Sequence, residues 1–105
     1  MTLVAILTVR RRALERFREF EWRAAEVMAA HGGRIERTVV VEPPDSPELV
    51  KEIHVVTFPS EAAYAAYRND PRLERFAHLR EGSVVHAEVL AGEDGPDYGS
   101  QGADG

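Results

Sequence analysis

Two histidines in this chain each stand two residues from a glutamate, in Glu52-Ile53-His54 and His86-Ala87-Glu88. In an extended strand residues two apart share a face, so each pair sets an imidazole beside a carboxylate. An imidazole changes charge near neutral pH and a carboxylate orients it, which is the chemistry of a general base. His54 is the candidate base and His86 a second polar contact in the same site. The competing reading makes both histidines half-exposed strand residues, with Glu52 and Glu88 solvated or paired across strands.

Other residues bear on what such a base would act upon. Tyr64 and Tyr67 stand three apart in a helical pattern shortly after Phe58, and together the three rings would shape an apolar pocket. The blander alternative packs both tyrosines over a sheet with their hydroxyls reaching solvent. Arg68 either reaches an anionic part of a substrate or pairs with Asp70. No metal and no cofactor are expected. Strands carrying His54 and His86, separated by one other strand, would lie roughly 9–10 Å apart at ~4.8 Å per strand. That is wide for metal–nitrogen bonds of about 2.0–2.1 Å. The absence of cysteine excludes thiolate nucleophiles and disulfides, and neither a phosphate-binding glycine loop nor G-x-S-x-G is present. His31 ends a helix, where the dipole favours a cation.

These side chains need elements to hold them. Leu3 to Val9 reads as a strand that is apolar on both faces, which a sheet covered on both sides requires. Ala13, Phe17, Phe20, Ala24 and Val27 recur at helical spacing, and Gly32-Gly33 supplies the left-handed stop. Trp22 falls off that apolar face, either packed against Arg18 and Ala29 or at a subunit contact. Arg34 to Glu42 and Leu49 to Phe58 read as strands two and three, parted by the proline-rich 43–47 break. Ser60 caps a second helix, Asp70-Pro71 restarts it, and Gly82 ends it. Ser83 to Leu90 is the fourth strand. Residues 1–91 form one domain, and the Gly- and Asp-rich segment 92–105 is expected to be a flexible tail. At 105 residues the chain has room for a single core.

A formal charge of −5 argues against a nucleic-acid partner despite the Arg10-Arg11-Arg12 run, which is expected to be a solvated corner. The seven-residue apolar start is too short for a signal sequence or a membrane span, so the expected location is cytoplasmic, with no membrane partner.

The order βαββαβ is satisfied by an α+β, ferredoxin-like fold: a four-stranded antiparallel sheet in the order 4-1-3-2, with both helices on one face. The other face then needs cover, and a homodimer packed sheet to sheet provides it. On strand three, Ile53 and Val55 are expected to face the helices, leaving Glu52, His54, Val56 and Phe58 on the open face. On strand four, Val85, Ala87 and Val89 are expected under the helices, leaving Val84, His86, Glu88 and Leu90 opposite. Both His/Glu pairs would then share the open face.

Phe58-Pro59-Ser60-Glu61-Ala62, Ala66-Tyr67-Arg68-Asn69-Asp70-Pro71 and Leu79-Arg80 resemble the dimeric α+β barrel superfamily, nearest its small bacterial branch related to antibiotic-biosynthesis-type monooxygenases. The resemblance runs from about Leu3 to Leu90 and its motifs encode fold more than activity. It implies a substrate space on the sheet's open face, toward the partner. Haem-degrading relatives hold iron with a helix histidine, for which His78 is the candidate here. Relatives of that kind and the quinone-forming monooxygenases use a first-strand Asn and a Trp, and this chain has neither in the corresponding places. The expected function is a small dimeric enzyme acting on a hydrophobic, aromatic or polyketide-like metabolite, by cofactor-independent oxygenation, isomerisation or cyclisation. The alternative is a non-catalytic ligand-binding or dimeric interaction module. A cavity of about 300 Å³ or more with His54 in its wall separates the two in favour of the enzyme.

Overall fold

A computed structural model describes residues 1–99. The chain runs β1 (Thr2–Arg10), a 3-10 turn (Arg11–Ala13), α1 (Leu14–Ala30), β2 (Arg34–Val41), β3 (Leu49–Thr57), α2 (Glu61–Arg68), a second 3-10 segment (Pro71–Phe76), α3 (Ala77–Arg80) and β4 (Val84–Gly92). The four strands make one antiparallel sheet in the order β2-β3-β1-β4, as expected from the sequence. The part of the expected flexible tail from Ser100 on lies outside the described residues. No helix among the described residues is long and apolar enough to cross a membrane.

Local chemistry sets the helix ends. The Gly33 and Gly32 amides donate to the Met28 and Ala29 carbonyls, both at 3.0 Å, and Gly32 takes φ +76°. This Schellman closure satisfies carbonyls that the end of α1 would otherwise leave bare. The Ser60 hydroxyl accepts from the Ala63 amide at the start of α2, an arrangement worth about 1 kcal/mol. Asp70 caps the 3-10 segment by accepting from the Arg72 amide, with Pro71 in the first position.

The core is split in two. At one end Phe17 of α1 packs on Leu7 and Val9; at the other Met28 packs on Leu3, Val56 and Phe58, roofed by Ala63, Tyr64 and Tyr67. Full burial of a ring such as Phe58 contributes roughly 1.5–3 kcal/mol. These contacts fix which residues lie beneath the helices, and they correct the expectation for β3. Leu3, Ala5 and Leu7 pair with Val56, His54 and Glu52, so Glu52, His54, Val56 and Phe58 face the helices while Ile53 and Val55 face the open side. Apolar residues occupy both faces of β3, so alternation defines two sets without saying which one the helices cover. A shift of one in phase exchanges them.

For β4 the expectation holds from His86 onward and fails at its start. A bulge between Thr8 and Val9 places Val84 opposite Val9 under the helices and leaves Val85 as the extra residue. His86 and Glu88, opposite Thr8 and Ile6, stay on the open face. The two His/Glu pairs therefore lie on opposite sides of the sheet.

Gly33 carries a packing constraint besides its cap. A Cβ built there would sit 2.4 Å from a ring carbon of Phe58, whereas one at Gly92 meets nothing within 4 Å. Gly33→Ala is expected to lower unfolding stability by about 1–3 kcal/mol, the usual cost of overpacking. Gly92→Ala should stay within about 0.5 kcal/mol of wild type. Urea denaturation of both variants checks the contrast.

Candidate functional site

Between the two halves of the core the covered face of the sheet turns polar. Ala5 supplies only a methyl group between Leu3 and Leu7, and β3 contributes His54 and Glu52 beside it. The opening left there is a cavity of about 370 Å³ between sheet and helices. Its floor is Leu3, Ala5, Leu7 and Val89, and its roof includes Tyr64, Tyr67 and Leu73. This position corrects the expected one, since the cavity lies within the protomer and not on the open face of the sheet. Bulk on β3 explains the reversal: Val56 and Phe58 complete the apolar cluster under α2, and the polar residues in phase with them come inside too.

His54 and Glu52 are each only 4% exposed. The Glu52 carboxylate accepts from Arg18 Nε at 2.8 Å through one oxygen and meets His54 Nε2 at 3.0 Å through the other. The hydrogen bond from His54 holds the Glu52 pKa below its ordinary value, Arg18 adds to the effect, and burial opposes both. An ionised carboxylate only accepts, so His54 carries a hydrogen on Nε2. Nδ1 faces Glu21 of α1, whose nearest carboxylate oxygen lies 3.9 Å away. Burial pushes the Glu21 pKa up, against the pull of His54 and Arg80.

The aromatic wall is continuous. Tyr64 and Tyr67 lie with ring centroids 5.3 and 5.4 Å from that of Phe58, within the range of favourable tilted packing. Burial, followed by the nearby Glu21 and Tyr64, pushes the Tyr67 hydroxyl up to about 12. It therefore stays a neutral donor across the physiological range. Arg68 stands over the Tyr64 ring at 5.5 Å and does not take Asp70, one of the two readings open in the sequence. Asp70 is held by Arg72 and by His31 Nε2 at 2.8 Å, and the Arg72 contact first, then His31, keeps its carboxyl well below the usual range. This clamp ties the end of α1 to the start of the 3-10 segment that roofs the cavity. His31 thus has a partner beyond the helix dipole.

Of the residues singled out from sequence, the fold brings His54, Phe58, Tyr64, Tyr67 and Arg68 to one cavity. His86 does not join them, since it stands exposed on the open face, and His78 is an exposed residue of α3. Glu21 and Arg80 also line the cavity, and sequence reasoning missed both. Glu21 had a signal: it interrupts the apolar stripe Phe17, Ala24, Met28 at the spacing that faces the core. Arg80 had none. Among the described residues no group of three or more His, Cys, Asp or Glu is arranged to hold a metal.

No protein-family model and no curated protein matches the sequence. Solved structures do match. A protein from Bacteroides thetaiotaomicron named for the antibiotic biosynthesis monooxygenases aligns with a TM-score of 0.62 at 16% identity, over 90% of this chain and 88% of its own. SnoaB, a cofactor-independent oxygenase from Streptomyces nogalater, aligns with a TM-score of 0.59 at 18% identity, over 90% and 93%. A Nitrosomonas europaea protein named like the first aligns with a TM-score of 0.59 at 14% identity, over 88% and 98%. The chain has their fold. It is the α+β, ferredoxin-like architecture of antibiotic biosynthesis monooxygenase-like proteins.

The two carboxylates flanking His54 respond to pH in opposite senses. Glu52 has a folded pKa below its unfolded value, so its contribution is present above about pH 4.5 and lost as pH falls through the folded pKa. Glu21 has a folded pKa above its unfolded value, so the native state gains as pH falls through that raised pKa toward 4.5. Glu52→Gln should destabilise at pH 7 by roughly 1.5–3 kcal/mol, the worth of hydrogen bonds to a charged group, and by less in acid. Glu21→Gln should stabilise at pH 7, with the gain fading toward pH 4.5. Urea unfolding between pH 4 and 8 distinguishes them, and equal responses would contradict this assignment.

Proposed function

We propose that this chain is a small enzyme that oxygenates a hydrophobic, aromatic or polyketide-like metabolite without a cofactor, with His54 as the base. The observation that carries the reading is His54 in the wall of an apolar cavity, its Nε2 hydrogen committed to Glu52 and its Nδ1 turned toward Glu21. The fold shared with a cofactor-independent oxygenase supports oxygenation over the isomerisation or cyclisation that the same base would also serve.

The chemistry balances with dioxygen alone as co-substrate. A ring methylene made acidic by flanking carbonyl or phenol groups gives a proton to His54 Nδ1. The imidazolium that forms stands between the Glu52 and Glu21 carboxylates, which stabilise it in a site shielded from water. The substrate carbanion passes electrons to dioxygen, and a carbon–oxygen bond forms. His54 returns that proton to the peroxide. It then takes the carbon's second hydrogen as a proton while the oxygen–oxygen bond breaks, and passes it to the departing hydroxide. The methylene carbon loses four electrons and becomes a carbonyl, one oxygen atom stays on it, and the other leaves as water. Phe58, Tyr64 and Tyr67 bind the flat substrate, and the neutral Tyr67 hydroxyl offers a hydrogen bond to a substrate oxygen. A non-catalytic binding module would use the same cavity without needing proton transfer at His54.

With an anthrone as substrate, His54→Gln should lower kcat/KM by about 10²–10⁴-fold, the range for loss of a general base. An oxygen electrode should record one dioxygen consumed per substrate by the wild type. Unchanged turnover in His54→Gln removes the base, and turnover without oxygen uptake moves the reading to isomerisation or cyclisation.

The open face of the sheet belongs to the same reading. Val4, Ile6, Val39, Val41, Ile53, Val55 and Leu90 share it by strand register, and Leu90 is 51% exposed. A second copy of the chain, packed sheet to sheet, removes this apolar surface from water. Sedimentation equilibrium should give a dimer at micromolar concentration, and Ile53→Glu, which puts a charge at the centre of the face, should give a monomer. A wild type that stays monomeric at that concentration would rule the dimer out.

A further inference from the structure

The helical layer that roofs the inner cavity is not continuous. It runs as α2 to Arg68, breaks at Asn69 and Asp70, resumes as the 3-10 segment Pro71–Phe76 and ends in the single turn of α3. Six residues are long for a 3-10 run, whose hydrogen bonds are poorly aligned, and such a stretch within a helix often marks a hinge. No side chain of the segment or of α3 is buried, and none belongs to either apolar cluster of the core.

This loosely seated stretch nevertheless forms part of the cavity wall. Leu73 and Arg80, together with Phe20 of α1, line both the inner cavity and a second hollow of about 420 Å³. The exposed residues Glu74, Ala77 and Glu81 border that second hollow, so it opens to solvent. Both ends of the stretch are anchored. Asp70 is held by His31 and Arg72, and the Arg80 carbonyl accepts from the amide of the fully buried Ser83 at 3.0 Å. Its middle is held to α1 by the Arg23 guanidinium, which lies over the Phe76 ring at 5.2 Å. Arg23 is exposed, and a cation–ring contact is weak in water.

We propose that residues 71–79 form a flap over the inner cavity, latched by Arg23 on Phe76, and that its outward movement draws Leu73 from the wall and joins the cavity to the surface hollow. Entry of substrate and release of product are the purpose of such a movement. That purpose rests on the proposed function, whereas the movement itself does not.

The chain has no cysteine, so Ala5→Cys places a single thiol in the cavity floor. Its reaction with N-ethylmaleimide, followed by mass spectrometry, reads how often the cavity opens. In that background Phe76→Ala and Arg23→Ala break the latch from its two sides, so a folding failure of one leaves the other to report. Each should speed labelling by about two- to fivefold, the worth of one exposed cation–ring contact. The double variant should be no faster than the quicker single, because both remove the same contact. Labelling should also stay flat in urea below the unfolding transition, since a flap exposes little surface. A rate that climbs with the full urea slope of unfolding refutes the flap. Rates unchanged by both latch variants also refute it, and place the entrance past Val89, which is 51% exposed at the edge of the sheet. Hydrogen exchange makes the same comparison without the thiol. The amides of residues 72–79 should exchange faster in both latch variants while those of β3 do not change, and equal acceleration of the two overturns the proposal. Neither measurement uses a substrate, so the flap is decided apart from the oxygenase reading, which turnover of anthrone decides.

Discussion

A carboxylate buried on the covered face of a central strand is the constraint around which this molecule is arranged. Glu52 stands beneath α1 where an apolar residue would ordinarily sit, and an unpaired ion there would cost several kcal/mol. Arg18 reaches down from α1 to one oxygen and His54 reaches along β3 to the other. The guanidinium keeps part of its surface in water while its fork enters the protein, which limits the desolvation of the pair. Removing either partner leaves the carboxylate exposed to the low-dielectric interior with half of its hydrogen bonds. The position of α1 over the sheet and the hydrogen on His54 Nε2 both follow from satisfying this one group.

The cavity is a consequence of the same arrangement. A continuous apolar core would join Phe17 to Met28 along α1 and Leu7 to Leu3 along β1. Here Glu21 and Ala5 interrupt those two lines at the same level, so the core divides into two clusters with a void between them. Rings from α2 close that void from above, and the His31–Asp70–Arg72 clamp holds the neighbouring segment down. The clusters at either end supply the rigidity that a void in the middle forgoes. The result is a preformed, largely apolar space with one oriented imidazole in its wall.

Much of the fold is legible in the amino-acid sequence. The strands, the Gly32 stop, the Ser60 and Asp70 caps and the sheet order rest on local signals that act within a few residues, and those signals agree with one another. The grouping of Phe58, Tyr64, Tyr67 and Arg68 is legible too, because a strand end, a cap and one helical turn bring them together. The face of β3 is not. Val50, Ile53, Val55 and Val56 give both of its sides an apolar character, and a charged Glu52 suggests solvent. Arg18, which makes burial of that charge tolerable, lies 34 residues away in sequence. The bulge that turns Val84 inward is likewise a property of the β1–β4 pairing and not of β4 alone.

The sequence by itself determined the elements, their order in the sheet and the presence of one face too apolar for water. Periodicity and capping are local, and the handedness of crossovers leaves few ways to connect what they produce. Only the tertiary structure decided that His54 and Glu52 point inward while His86 and Glu88 point out, and that Glu21 lines the same cavity as His54. Each of these is a matter of phase or of pairing between distant segments. The free energy that settles them comes from a charge meeting its partner and from rings packing under a helix, and neither exists until the chain has closed on itself.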